Sequence, residues 1–233
     1  MTNSYIQSSE LDLGPKQLTP WGVSVANYRS SQDAAGYVYT TRDGNLPPTP
    51  FISPINPFNQ EILDAKNVLE IGGGVGRNLP FVMEKTNAYY TSVDPNVEMT
   101  KYFWDIQDPK WKNRVSLYEN FSSLNQNIRF DFVIVTFVFQ HIGFRPSSVV
   151  MNVSDITKEA MNYTKDGTVW FLLEHEREEI WQNRWLSEIN ISPTVYFKPG
   201  GTPIGGGKIP YPEFELMTHR GNDHNIIIFK EHK

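Results

Sequence analysis

The chain has 233 residues, a formal net charge of −5 and no cysteine. This length suits one domain with an added segment, and the negative charge argues against a surface that attracts nucleic acid as a whole. The absence of cysteine excludes disulfides and thiolate metal sites. The sequence contains no run of about eighteen apolar residues, so no membrane span is predicted. The polar start Met1–Tyr5 is unlike a signal peptide, so a cytoplasmic location is expected.

Prolines mark the first part of the chain. Five of them lie within Asn45–Phe58, which is therefore predicted to be a linker. This linker closes an N-terminal segment, residues 1–60, whose part before the linker is rich in aromatic residues; a main domain is predicted at residues 61–233.

Apolar segments separated by turn signals predict a series of strands. In chain order these are Val68–Ile71, Tyr89–Val93, Val115–Tyr118, Phe130–Val135, Thr168–Leu173, Glu215–Thr218 and Asn225–Lys230. Helical stretches are predicted at Arg77–Lys85 and Ser147–Tyr163. Strands that alternate with helices indicate an α/β fold with a doubly wound, parallel sheet.

The first strand leads into a glycine-rich loop. An acid near its end, Glu70, is followed by Gly72, Gly73, Gly74 and Gly76. Glycines let the backbone turn and approach a ligand closely, and ligands of open α/β sheets bind at the carboxyl ends of strands. The dinucleotide fingerprint fails because Arg77 occupies the place of its third glycine. Glu70 would repel a pyrophosphate and suits a ligand with positive charge. A tight turn without a ligand is the alternative.

The second strand ends at Asp94-Pro95, about twenty residues beyond the glycine loop. A carboxylate in this place can accept hydrogen bonds from both hydroxyls of a ribose. Asp94 also suits a turn or a helix N-cap, and these roles are compatible with ribose binding.

Together these motifs resemble those of the class I S-adenosylmethionine (SAM) dependent methyltransferases, over the chain from about residue 60 onward. The resemblance rests on Glu70–Gly76, Asp94, the pair Asn120-Phe121 and the start of the fourth strand at Phe130-Asp131. It implies a Rossmann-like, seven-stranded, mostly parallel sheet with helices on both faces and an antiparallel last strand. SAM is the implied cofactor.

The resemblance also implies which residues contact the cofactor. They are Glu70, Gly72, Gly73, Gly74, Gly76, Asp94, Pro95, Asn120, Phe121 and Thr136. Many members of the family have Asp where this chain has Asn120. Because an Asn amide both donates and accepts hydrogen bonds, contact with the adenine amine is still expected.

The chain lacks the signatures of two classes of nucleic-acid methylation. Methylation at carbon 5 of a pyrimidine usually uses a cysteine nucleophile. DNA methyltransferases that modify amino groups carry a Pro-Pro pair after the fourth strand, where this chain reads Thr136–Phe139. The expected acceptor is therefore an oxygen or nitrogen atom of a small molecule or peptide, methylated by in-line displacement in which orientation supplies much of the acceleration.

His141 is the candidate general base, since it follows the fourth strand and titrates near neutrality. Packing or capping of the following helix is the alternative role. Glu174 and His175 are further candidates at the end of the fifth strand. The run Glu174–Glu179 lacks the H-E-x-x-H spacing, so no metal site is expected and a solvated helix start is favoured.

Two segments are expected to flank the acceptor. In similar methyltransferases the segment before the first strand covers the cofactor, so residues 1–60 are interpreted as a cap in which Tyr28 or Arg29 touches the methionine end of SAM. Residues 176–212 are interpreted as a lid-like insertion, and their glycine-rich part, Gly200–Lys208, does not fit the phosphate-loop pattern. Ordinary packing and a plain loop are the alternatives.

Other functions remain open beside methyl transfer. The chain could bind SAM or another nucleoside as a regulatory protein without turnover, or use SAM for cleavage or transfer of another group. A nicotinamide oxidoreductase is disfavoured by Arg77. The expected partner is a small-molecule acceptor, with no nucleic acid and no membrane, and the sequence indicates no oligomeric state.

Overall fold

The computed structural model describes residue 49 and residues 51–54, 56–74, 76–96, 108–136, 138–139, 153–175, 187–190, 195–197 and 224–232. The strands are β1 (Asn67–Ile71), β2 (Tyr89–Val93), β3 (Val115–Tyr118), β4 (Phe130–Thr136), β5 (Thr164–His175), β6 (Val195–Phe197) and β7 (His224–Lys230). The α-helices are α1 (Asn59–Leu63), α2 (Leu79–Lys85) and α3 (Val153–Met161). Short 3-10 helices span Pro109–Arg114 and Phe121–Ser123.

All seven strands form one sheet with the order β3-β2-β1-β4-β5-β7-β6. The pairs from β3 to β5 are parallel, whereas β7 is antiparallel to both of its neighbours, β5 and β6. The chain moves outward from β1 to β3 and then returns to place β4 on the other side of β1. The topological switch point, where ligands bind in such sheets, therefore lies between β1 and β4. The predicted sheet with an antiparallel last strand is confirmed.

Both faces of the sheet are buried. Along β4, Phe132 and Ile134 point into a core shared with α1 and α2. Val133 and Val135 point into a second core shared with α3. This alternation explains why β4 reads as a continuous apolar run, and it confirms helices on both faces. Within the described ranges, no helix has the length and apolar character needed to cross a membrane.

Most predicted elements agree with the structure. β2 and β3 have the predicted bounds, and β1, β4, β7 and α2 differ from prediction by one or two residues at an end. β5 begins at Thr164, earlier than predicted, because the turn-like Asp-Gly at Asp166 is accommodated inside the strand. There Gly167 has a φ of 85°, and the register between β4 and β5 shifts between Phe130 and Phe132.

The edge of the sheet differs from expectation. The structure places β6 within residues 176–212, the segment interpreted as a lid-like insertion. β6 is only three residues long and pairs with β7 alone among the described strands, so its apolar signal is short. The strand predicted at Glu215–Thr218 lies outside the described residues, as does the start of the helix predicted from Ser147.

The stretch predicted as a linker packs against the domain. Phe51 is only 1% exposed. Its ring centroid lies 4.9 Å from those of Phe81 and Phe171 and 5.7 Å from that of Phe132. Asn56 donates a hydrogen bond to the Phe51 carbonyl at 2.6 Å. These contacts anchor the chain before β1 to the core beside α2.

Asp131 joins three elements at the amino end of β4, on the edge opposite to the switch-point crevice. Its carboxylate accepts hydrogen bonds from the backbone N–H of Lys66 (2.9 Å) and Asn67 (2.8 Å), and it forms an ion pair with Lys165. Partial burial opposes ionisation, but these partners bring the pKa of Asp131 below its ordinary value of 3.8. These contacts give Asp131 a structural role.

Candidate functional site

The predicted cofactor residues lie along one edge of the sheet. Because β1 to β4 are parallel, their carboxyl ends meet at this edge in the order β3, β2, β1, β4. Asn120 and Phe121 follow β3, Asp94 and Pro95 follow β2, and the glycine loop follows β1; Thr136 ends β4. The fold therefore brings together residues from four separate parts of the sequence.

The glycine loop is tightly packed against its neighbours. Gly72 has a φ of 69°, and a Cβ there would lie 2.5 Å from a methyl carbon of Val138. A Cβ on Gly73 would collide with the Ser92 hydroxyl on β2. The Gly72 N–H donates to the Val93 carbonyl at 2.8 Å. At these two positions a side chain is therefore excluded by protein atoms, before any ligand is considered.

Two further glycines shape the rest of the loop. The Gly76 N–H donates to the Gly73 carbonyl at 2.8 Å, which closes a turn. The Gly74 N–H donates to Asp94 Oδ2 at 2.7 Å. This last bond connects the loop directly to the end of β2.

Asp94 is buried and holds two backbone groups. Besides the bond from Gly74, its Oδ1 accepts from the Asn96 N–H at 2.8 Å, which is the predicted turn-forming role. Burial raises the pKa of Asp94, and the two backbone hydrogen bonds oppose this rise. A carboxylate has about four acceptor positions in all. Pro95 follows, half-buried at the same edge.

Glu70 lies beneath the glycine loop and is only 1% exposed. Its Oε1 accepts from Asn78 Nδ2 at 2.6 Å, and its Oε2 accepts from the Tyr90 hydroxyl. Burial raises the pKa of Glu70 to about 7, although these two bonds and the charge of Arg77 act in the opposite direction. Burial and Glu70 together raise the pKa of Tyr90, so the phenol stays protonated and donates. Glu70 therefore supports the loop from inside the protein.

Asn78 links Glu70 to two other parts of the chain. It precedes α2 and is 3% exposed. Its Nδ2 also donates to Thr136 Oγ1 at 2.9 Å, and its Oδ1 accepts from the Thr49 hydroxyl at 2.8 Å. The half-buried Thr136 thus receives a bond from the same amide that binds Glu70. We call Thr49, Glu70, Asn78, Tyr90 and Thr136 the buried polar network.

Asn120 and Phe121 make contacts within the protein. Asn120 caps the 3-10 helix that follows it, and its Oδ1 accepts from Ser122 Oγ (2.6 Å), Ser123 N (3.1 Å) and Ser123 Oγ (2.9 Å). The Asn120 amino group takes no part in this cap. The Phe121 ring is buried and stacks with that of Tyr163, whose hydroxyl donates to the Phe121 carbonyl at 2.8 Å. At this edge Asn120 is exposed, whereas the Phe121 ring is buried.

Several predicted residues lie outside the described part of the chain. These are His141, Tyr28, Arg29, the glycine-rich stretch Gly200–Lys208 and the remainder of residues 1–48. Glu174 and His175 end β5, at the same edge as Thr136. Among the described residues, no group of three acidic or histidine side chains could hold a metal ion.

Three members of the buried polar network were not predicted: Thr49, Asn78 and Tyr90. A signal for them existed, because a buried acid in an apolar strand requires hydrogen-bond donors. The register of β1 and β2 pairs Val68 with Tyr90, two residues before Glu70 on the same face. Identifying this donor required the register, which the sequence alone does not specify.

Residues 69–160 match a family model described as a methyltransferase domain, and no curated protein sequence matches the chain. A putative sarcosine dimethylglycine methyltransferase from Galdieria sulphuraria has a similar structure over 94% of this chain and 92% of that one, with a TM-score of 0.52 and 11% identity.

Two other solved structures are similar over a shorter part of the chain. The [4+2]-cyclase SpnF is similar over 73% of this chain and 76% of its own, with a TM-score of 0.52 and 13% identity. StiE O-MT residues 961–1257 are similar over 72% and 68%, with a TM-score of 0.51 and 10% identity. At these identities the similarity concerns the fold.

Proposed function

We propose that this chain is a class I SAM-dependent methyltransferase, which the match of residues 69–160 to a methyltransferase domain supports, and that it transfers a methyl group to an oxygen or nitrogen atom of a small-molecule acceptor. Bound SAM supplies a methyl group activated by a sulfonium. The protein has to bind the cofactor, hold the acceptor atom in line with that methyl group and exclude competing water.

One observation supports the position of the cofactor above all others: the hydrogen bond between the Gly74 N–H and Asp94. It fixes the glycine loop and a buried carboxylate beside each other near the switch point of the sheet. A carboxylate at the end of the second strand is the group that accepts the two hydroxyls of a ribose in nucleoside-binding α/β folds. The donors and acceptors present therefore fit a nucleoside whose cationic end lies toward β1 and β4.

We assign the remaining roles by position along the edge. Asn120, beyond Asp94, is proposed to contact the adenine. Because its oxygen already accepts three hydrogen bonds, its amino group would meet a ring nitrogen of the base. Thr136 lies at the other end, near the reacting centre. His141, five positions beyond Thr136 in the sequence, is proposed as the general base for acceptors that lose a proton during attack.

The chain lacks features that nucleic-acid methylation would require. The absence of cysteine and of a Pro-Pro pair after β4, together with the net charge of −5, argues against nucleic-acid substrates. Small O- and N-nucleophiles remain. Because the structurally similar SpnF is a [4+2]-cyclase, methyl transfer has to be measured directly, as formation of S-adenosylhomocysteine (SAH) with a panel of small acceptors.

The cofactor site is tested by calorimetry with SAH. Asp94→Asn should weaken binding by about tenfold to a hundredfold, because a charged acceptor of two hydroxyls is lost. Asp108→Asn is the matched control, since the Asp108 carboxylate also accepts a backbone N–H, from Lys110 at 3.0 Å, but precedes β3 at the opposite edge. Equal affinities for the Asp94 variant and the control, or no heat with the wild-type protein, would refute the proposed site.

A further inference from the structure

We propose that Asn78 is a positioning residue of the cofactor site, which fixes Glu70 and Thr136 relative to each other and orients the Thr136 hydroxyl as a hydrogen-bond donor toward the amino-acid end of the cofactor. The inference rests on the proposed position of SAM along this edge.

The hydrogen-bonding partners fix the orientation of the Asn78 amide. An ionised Glu70 carboxylate only accepts, so in that state the Asn78 nitrogen has to face it, at 2.6 Å. The same nitrogen lies 2.9 Å from Thr136 Oγ1. An amide nitrogen carries two hydrogens, and these two acceptors use both of them. On the other side, the Thr49 hydroxyl donates to Asn78 Oδ1 at 2.8 Å. The amide therefore has one orientation that satisfies all its partners.

This orientation determines what the Thr136 hydroxyl can do. A threonine hydroxyl carries one hydrogen, and the Asn78 nitrogen has no lone pair to accept it. The Thr136 hydrogen therefore points away from Asn78, while the Thr136 oxygen receives the bond from Asn78. Thr136 is half-buried and ends β4, at the same edge of the sheet as the glycine loop.

The order of the strands indicates which part of the cofactor this donor meets. If the ribose lies at Asp94 and the adenine beyond it toward β3, the amino-acid end extends toward β1 and β4. That end carries an ammonium, which only donates, and a carboxylate, which only accepts. A hydroxyl held as a donor is complementary to the carboxylate.

Two ligands distinguish this role from simple support of the fold. SAH has the amino-acid end, whereas 5′-methylthioadenosine lacks it and keeps the adenine and ribose. Thr136→Val removes the hydroxyl with little change of shape. It should weaken SAH binding by about tenfold or more and change methylthioadenosine binding by less than about threefold. Asn78→Asp keeps the acceptor for Thr49 and removes both N–H donors. It should therefore also lower the ratio of SAH affinity to methylthioadenosine affinity.

Thr157→Val is the matched control. Thr157 is fully buried in α3, and its hydroxyl donates to the Val153 carbonyl at 2.8 Å, away from the site. This variant should keep the wild-type ratio of SAH to methylthioadenosine affinity, whatever its melting temperature. If Asn78→Asp does not fold, Thr136→Val alone carries the test.

The outcomes separate this inference from the proposed function. Wild-type protein that binds neither ligand would overturn the proposed function together with this inference. Wild-type binding of SAH combined with an unchanged affinity ratio in the Thr136 variant would overturn this inference alone. The same holds if the Thr136 variant loses affinity equally for both ligands, because the effect would then not be specific to the amino-acid end.

Discussion

Replacement of Glu70 by glutamine tests how the buried polar network responds to pH. The substitution removes a buried charge while it preserves the shape of the side chain. A glutamine oxygen can still accept from Asn78, and its amino group can donate to the Tyr90 hydroxyl oxygen. The variant is therefore expected to fold, and its stability should differ from that of the wild type mainly where Glu70 is ionised.

The size of this pH effect on stability follows from the pKa of Glu70, which burial raises from the ordinary value of 4.5 to about 7. Between these two values the folded protein binds more protons than the unfolded chain, so its stability falls as pH rises. The stabilisation that comes from the raised pKa of Glu70 is fully present below pH 4.5, and it is lost as pH rises through about 7. A pKa change of this size corresponds to about 3 kcal/mol in the free energy of unfolding.

Urea unfolding at about pH 5 and about pH 8 measures this contribution. The wild type should lose about 2–3 kcal/mol more than Glu70→Gln between these conditions. Glu231→Gln is the control: it removes another buried carboxylate, at the opposite edge, which accepts from Thr164 Oγ1 (2.6 Å) and Trp170 Nε1 (3.0 Å). Because Glu70 is intact, this control should keep the Glu70-dependent loss. A Glu70→Gln variant with the wild-type pH dependence would refute the reasoning.

Three further predictions concern single positions. Gly73→Ala should lower the free energy of unfolding by about 1–3 kcal/mol in urea titration, because the new methyl group collides with Ser92. Asp131→Asn should lower the free energy of unfolding by about 1 kcal/mol at neutral pH. Because the pKa of Asp131 is lowered in the folded protein, this loss should shrink as pH falls below the ordinary pKa of 3.8. His141→Gln should lower the rate of SAH formation by about a hundredfold or more near neutral pH and remove the acidic limb of the pH–rate profile; an unchanged profile would exclude His141 as the base.

The central strands could be predicted from the sequence because each is an apolar run with polar or turn-forming ends. β2 and β3 have the predicted bounds for this reason. β6 could not be predicted in the same way, since Val195–Phe197 is too short to show a period and depends on pairing with β7. Long-range pairing, and not local preference, defines this strand.

The candidate site was predictable in its location more than in its internal contacts. The motif around Glu70 and Asp94 predicted that the candidate residues lie at the carboxyl ends of two strands, and in the structure β1 and β2 end side by side at one edge of the sheet. The sequence suggested that Glu70 faces a cationic ligand, whereas in the structure its carboxylate contacts Tyr90 and Asn78. These partners lie eight and twenty positions away, and their approach depends on strand register and on where α2 begins. The contact of Asp94 with a ribose stays a prediction.

The burial of Phe51 has a practical consequence for work with shortened chains. A fragment cut at residue 61, where the main domain was expected to begin, would lack an aromatic ring that fills the space between Phe81, Phe132 and Phe171. Emptying such a space costs about 3–5 kcal/mol, a large share of the stability of a typical domain. The same cut would also remove Thr49. Expression boundaries for this protein therefore belong upstream of residue 49, even when only the cofactor-binding half is wanted.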